Sequence, residues 1–236
     1  MSYSFVRTNS DVINYGHISA IDGVSQLTLS FWYQAGDDGA VDYCGVMSQI
    51  NGVNGLSIDV QNTDDASLIY AFRGGGNKNF IRLTSPLTVG VWKHVYVVFD
   101  GTQATEGNRV RVWIDGTEIT SWDTANADTT IGTTAVDFLF GYNGYHYRTM
   151  KLAEVAMWIG ESVTTGTVIS DLASGVIAST ANPTGLDFHV RMNSSGDVND
   201  SAGSLTGTVT GATYSTDHPT MSGGTVAFVP QVIMVL

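Results

Sequence analysis

Charged side chains are scarce in this sequence. Asp, Glu, Lys and Arg make up 14% of its 236 residues, against about 25% in an average soluble domain, and lysine occurs only at Lys78, Lys93 and Lys151. The few charges are also unbalanced, with 22 acidic residues against 10 basic ones and a net charge of -12. A field of that sign repels a polyanion, so no nucleic-acid partner is expected. Solubility, divalent-cation binding or attraction to a basic surface remain as uses of the acidic excess. Cysteine is nearly absent too: Cys44 stands alone, so no intrachain disulfide forms and a reducing compartment suits the chain. The opening Met1–Arg7 lacks the basic and apolar regions of a secretory signal, and synthesis in a cytoplasm is expected. No apolar run approaches the roughly 18 residues that span a bilayer; the longest, Val226 to Leu236, is interrupted by Pro230 and Gln231. No repeat of about 20 to 50 residues is visible.

What the sequence has is glycine, 27 in all, and a hydrophobic period of two. Leu27, Leu29, Phe31 and Tyr33 share one face of an extended segment, and Thr28, Ser30, Trp32 and Gln34 share the other. The same alternation runs through Val95, Val97 and Phe99 and through Val110, Val112 and Ile114. Further strands are expected over 45–50, 56–60, 67–72, 80–83, 138–141, 152–158, 186–192 and 205–209. Turn residues separate them, among them Gly36-Asp37-Asp38-Gly39, Gly74-Gly75-Gly76-Asn77, Asp100-Gly101 and Asp115-Gly116. Asp115-Gly116 predicts a tight hairpin, because a two-residue turn of the right twist needs positive φ. One stretch reads as a helix, capped by Ser162, with Val163, Val168, Ile169 and Leu172 on its apolar side and Gly175 at its end. The expected fold is all-β: a two-sheet antiparallel sandwich with one short helix on its edge.

Several ordered pieces resemble a known family. Phe5, Asn9-Ser10-Asp11-Val12 and Leu27 to Trp32 are similar to the first strands of laminin-G-like jelly-roll domains of the concanavalin A-like lectin and glucanase group. Trp92 to Val95, Asp100-Gly101 and Val112 to Gly116 resemble its central run. Lys151 to Trp158, Ser162 and Val168 to Gly175 resemble its late strand and helix. Together they extend over residues 3 to 219 in the family's order. One departure is Ala153, where members often carry Asp before the residue matching Glu154. The resemblance implies a sandwich that serves glycosidases, lectins, adhesion modules and structural domains alike, so function must come from a site.

Glycoside hydrolysis needs two carboxylates flanking the scissile bond. The glucanases of this fold place acidic residues at alternate positions of one strand. Here, alternation puts Leu152, Glu154, Ala156 and Trp158 on one face, a single carboxylate, and Glu154 reads as a bonded structural residue rather than a catalytic acid. His17, His94, His146, His189 and His218 show no zinc-ligand spacing. Calcium, which prefers oxygen ligands, is the best-motivated ion, optional rather than required. Its candidate ligands are Asp37, Asp38 and Asp42 in one loop and Asn143 in another; Asp64-Asp65 and Asp197 to Ser201 are further acidic turns. Pentraxins, calcium-dependent relatives, carry acidic ligands in the loop before the late strand, where this chain offers Asn143 alone. That loop also holds Tyr142, Tyr145, His146, Tyr147 and Arg148, rings and polar groups suited to stacking on a sugar, although capping the end of the sandwich is the favoured use of such tyrosines.

Two segments follow: a jelly-roll domain over residues 1–222, and an apolar tail over 223–236 after the hinge-like Met221 to Gly224. In the tail, Val226, Phe228, Val229, Val232, Ile233, Val235 and Leu236 would aggregate if freely exposed. It is expected to close the sandwich or, preferentially, to pair with a neighbouring subunit of a homo-oligomer. Pro230 favours an edge or bend. The leading expectation is a non-enzymatic structural or adhesive module on an assembled particle, such as a phage capsid decoration protein or a fibre head, contacting other particle subunits and host-surface glycans. The alternative is a soluble, calcium-dependent lectin.

Overall fold

The computed structural model describes residues 1–36, 44–61, 67–75, 81–82, 87–120 and 127–222. The tail residues 223–236, including Val226, Phe228, Val229, Val232, Ile233, Val235 and Leu236, lie outside them, as do Asp37, Asp38, Asp42, Asp64 and Asp65.

The strands, in chain order, are β1 (Ser2–Phe5), β2 (Val12–Asn14), β3 (Gln26–Ala35), β4 (Cys44–Ile50), β5 (Asn54–Gln61), β6 (Ser67–Gly74), β7 (Ile81–Arg82), β8 (Trp92–Asp100), β9 (Val110–Ile114), β10 (Thr117–Ile119), β11 (Leu139–Phe140), β12 (Met150–Ile159), β13 (Phe188–Val190), β14 (Thr208–Thr210) and β15 (Thr213–Ser215). One sheet has the order β10-β9-β8-β3-β12-β1-β15, with β13 also paired to β12. The other has the order β14-β2-β11-β4-β5-β6-β7. All these pairings are antiparallel.

The alternation seen in the sequence sets which face turns inward. Leu27, Leu29, Phe31 and Tyr33 of β3, Val95, Val97 and Phe99 of β8, and Leu56, Ile58 and Val60 of β5 join one buried cluster between the sheets. Each such side chain fully buried contributes roughly 1.5–3 kcal/mol, which fixes the register, since a one-residue slip would turn the whole set outward. The hairpin between β9 and β10 closes on Asp115 and Gly116, at φ 50° and 76°, as the turn sequence requires.

Two expectations are corrected. The helix α1 (Gly166–Ala173) begins after Thr165, whose side chain makes no capping hydrogen bond, rather than at Ser162, and a second short helix, α2 (Ala178–Ala181), follows it. Neither lies at an edge: Ile169, Leu172 and Ala178 pack with Tyr96, Val98, Trp113, Ala156 and Trp158 in a second buried cluster on the outer face of the first sheet. The start of α1 is shifted because 161–163 are pinned to the sheet. Thr28 Oγ1 donates to the Glu161 carbonyl and accepts from Val163 N–H, both at 2.9 Å, and Tyr96 OH donates to the Val163 carbonyl at 2.9 Å.

The second correction concerns β12. Its pairing with β3 shifts register between Ala153 and Ala156, and Glu154 adopts φ 50°. This bulge reverses the parity of the strand. Leu152, Val155 and Met157 face the inter-sheet core, whereas Ala156 and Trp158 face the helices. Leu152 therefore does not share a face with Ala156 and Trp158.

After β15 the chain crosses the outer face of the first sheet. The Asp217 carboxylate accepts from Lys151 Nζ and from Trp92 Nε1, the latter at 3.2 Å, and Ser2 Oγ donates to its carbonyl. At the far end, Ser222 N–H donates to the Gly175 carbonyl just beyond α1, at 2.7 Å.

Candidate functional site

Because Leu56, Ile58 and Val60 of β5 point into the core, Ser57 and Asp59 point out. They are nevertheless buried, because the 141–148 segment between β11 and β12 lies over them. Gly45 permits that approach: a Cβ there would overlap Asn143 N and the Tyr142 carbonyl carbon. Ser48 Oγ donates to the Tyr142 carbonyl at 2.8 Å and fastens the segment to β4.

Asn143 organises the loop. Its Nδ2 donates to Asp59 Oδ1 at 3.0 Å, and its Oδ1 accepts from the N–H groups of Tyr145 and His146 at 3.0 and 2.9 Å. The other Asp59 oxygen accepts from Ser57 Oγ at 2.7 Å. Burial drives the Asp59 carboxyl up to about 6, against the pull of the Ser57 and Asn143 hydrogen bonds and the nearby Arg73 guanidinium. Arg73 in turn donates to the Gly52 carbonyl at the β4–β5 turn. Asn143, 5% exposed, is thus a structural keystone.

What this scaffold presents is Tyr145. It is 72% exposed, and its hydroxyl lies beside Gly52, whose carbonyl accepts from Arg73. His146 is exposed next to it. The other residues of the expected aromatic cluster have different places. Tyr142 and Tyr147 are half-buried and stack on each other with centroids 4.4 Å apart. Arg148 is 1% exposed and turned inward, donating to Tyr33 OH at 3.3 Å and the Gly36 carbonyl at 3.1 Å. The segment therefore offers one projecting ring and an imidazole above a polar patch that includes Arg73. Sequence reasoning passed over Asp59, Ser57 and Arg73, although Ser57 and Asp59 interrupt the apolar residues of β5 at alternate positions.

Among the described residues no three His, Cys, Asp or Glu side chains group as metal ligands. Asn143 Oδ1 is engaged by two N–H groups, and both Asp59 oxygens accept hydrogen bonds. These two residues alone do not make a calcium site. Asp200 is spent in a turn, where its Oδ1 accepts from the N–H groups of His189, Ala202 and Gly203. Glu154 is 5% exposed and accepts from His189 Nε2 at 2.6 Å and Ala178 N–H at 3.3 Å. No described helix is long and apolar enough to cross a membrane.

Comparison with known proteins adds to this picture. A search of curated protein sequences found no match. Among solved structures, the chain is similar to a heptameric SAP-like pentraxin from Limulus polyphemus, at 15% identity and a TM-score of 0.53, over 73% of this chain and 81% of that one. It also matches domain 4 of an extracellular arabinanase from Geobacillus stearothermophilus, in complex with arabinotriose, at 16% identity and a TM-score of 0.44, over 65% and 69%. The binding domain of botulinum neurotoxin DC in complex with rat synaptotagmin II matches at 13% identity and a TM-score of 0.45, over 64% and 35%. The pentraxin shares the fold. The model of a laminin-G-type family, described as the concanavalin A-like lectin/glucanases superfamily, matches residues 7–161. This match spans well over half of the sequence, and the chain belongs to the concanavalin A-like lectin/glucanases superfamily.

Proposed function

We propose that the chain is a non-enzymatic binding module that docks a glycan on the outer face of the β4–β5–β6 sheet, under Tyr145. One observation carries this reading: the Tyr145 ring projects to solvent from a loop that Asn143 ties to Asp59 on the sheet beneath and folds around its own side-chain oxygen through the Tyr145 and His146 N–H groups. A fixed aromatic ring with neighbouring donors and acceptors suits the apolar face and hydroxyl rim of a sugar, and a preorganised loop spends little of the binding energy on ordering. Glu154, closed in by His189 and Ala178, supports a non-catalytic role. The reading needs no cofactor.

The setting we propose is an assembled particle, such as a capsid decoration protein or a fibre head, with homo-oligomeric neighbours. Its support is geometric. Ser222, where the described chain ends, is tied to Gly175 on the outer face of the first sheet, whereas Tyr145 stands on the outer face of the second. An apolar tail anchored to a neighbouring subunit from Ser222 would leave the Tyr145 face turned away from the contact. Removal of residues 225–236 should then give a folded monomer that keeps its glycan binding, as read by light scattering and a glycan array. An insoluble, unfolded product would instead mean that the tail closes the sandwich. A truncated protein with unchanged assembly would remove the docking role.

A further inference from the structure

A cleft of about 450 Å³ lies on the outer face of the first sheet, beyond the area covered by α1 and α2. Its floor is made by Val98 of β8, Arg111 of β9 and Glu118 of β10. Arg111 Nε and Nη2 donate to the two Glu118 oxygens at 2.7 and 2.8 Å, and the guanidinium lies 4.7 Å above the Trp113 ring. A planar fork held on both its edge and its face keeps one orientation.

Both walls are pinned. On one side, Ser162 and Thr164 belong to the segment tied down by Thr28 and Tyr96. On the other, Gln103 and Asn108 stand on the 100–109 loop. There Asp100 gathers Thr102, Gln103 and Gln26 through its carboxylate, and Arg109 Nε donates to the Gln103 carbonyl at 3.0 Å. Asn108, Ser162 and Thr164 line the cleft, and their side chains make no hydrogen bond to other described residues. The size is in the range of small-ligand sites.

The chemistry of the lining selects among ligands. An anion would meet Asp100 and Glu118 with one guanidinium already shared. An apolar molecule would strand two hydroxyls and an amide. A cation would find both carboxylates occupied by donors. We propose that this cleft is a second binding site, for a neutral saccharide unit whose hydroxyls pair with Asn108, Ser162, Thr164 and the Arg111–Glu118 fork. It lies on the opposite sheet from Tyr145 and does not depend on that site.

The test is a residue-resolved titration of the full chain, by ¹H–¹⁵N correlation spectra, with methyl glycosides of glucose, galactose, mannose, xylose and N-acetylglucosamine, and with methyl glucuronide as the anionic control. At least one neutral glycoside should shift the amides of Asn108, Arg111, Glu118, Ser162 and Thr164. Tyr145→Ala should leave these shifts unchanged, and Asn108→Ala and Glu118→Gln should each weaken the affinity about tenfold in proteins whose thermal unfolding shows an intact fold. The proposal is overturned if no neutral glycoside moves these amides, if methyl glucuronide moves them more strongly, or if Asn108→Ala and Glu118→Gln, both folded, bind as the wild type does. Shifts confined to residues 141–148 would uphold the Tyr145 site and reject this one.

Discussion

Glu154 Oε1 lies 2.6 Å from His189 Nε2, and both side chains are buried where β12 bulges against β13. A carboxylate can only accept, so Nε2 carries the hydrogen, and Nδ1 faces Ser201 Oγ at 3.1 Å. The same Glu154 oxygen accepts from Ala178 N–H, the first residue of α2. The acid thus ties the bulge to β13 and to the helical layer. Glu154→Gln keeps the shape but replaces a charge-assisted hydrogen bond with a neutral one. It should lower the unfolding free energy by about 1–2 kcal/mol in urea denaturation. No hydrolysis of soluble β-glucans should be lost; loss of a real hydrolytic activity would contradict the structural role.

His94 is completely buried on the outer face of the first sheet, against Trp32 and Tyr96, with Nε2 2.9 Å from Ser30 Oγ. Burial pulls its pKa down from 6.5 to about 3, opposed by the nearby Asp115 carboxylate. The folded protein then holds His94 neutral while the unfolded chain takes up a proton below 6.5. Its contribution is present above pH 6.5 and is lost as the pH falls toward 3, at about 1.4 kcal/mol per pH unit. Urea titrations at pH 7 and pH 5 should show a loss about 2 kcal/mol larger in the wild type than in His94→Gln.

Asp59 works in the opposite sense. Its folded pKa, raised by burial to about 6, lies above the unfolded value of 3.8. The folded state therefore binds the proton more tightly, and the contribution is lost as the pH rises from 3.8 through 6. Asp59→Asn retains partners for Ser57 and Asn143 without the buried charge. At pH 8 it should be more stable than the wild type, by up to roughly 3 kcal/mol, with the difference gone near pH 4. A variant equally destabilised at both pH values would contradict this assignment.

Chelation is a separate check. Since Asn143 and Asp59 are already satisfied by hydrogen bonds, glycan binding should be unchanged by EDTA. Binding that disappears with EDTA and returns with calcium would mean that ligands beyond these residues complete a metal site.

The sequence made the sandwich legible because burial follows a local period: Leu27, Leu29, Phe31 and Tyr33 alternate, and all four are inside. The bulge was also recorded there, since the apolar positions switch from even at Leu152 to odd at Val155 and Met157, but strict alternation concealed it. The start of α1 was missed because Glu161 and Val163 are held by Thr28 and Tyr96, distant in sequence. The loop from Tyr142 to Arg148 stood out by composition, yet composition could not separate Tyr145, which projects, from Arg148, which is buried. Asp59 drew no attention in the sequence, because what buries it arrives 84 positions later, with Asn143.

Tyr145 is the proposed contact point for a glycan. The most direct measurement is binding of the wild-type protein and of Tyr145→Ala to a glycan array, with the affinity for the best ligand then measured by calorimetry. The side chain is 72% exposed, so its removal should change stability by less than about 0.5 kcal/mol. The wild type should bind, and Tyr145→Ala should weaken this binding at least about tenfold, a loss of roughly 1.4 kcal/mol. A wild type that binds no glycan, or a folded Tyr145→Ala that binds equally well, would contradict this role.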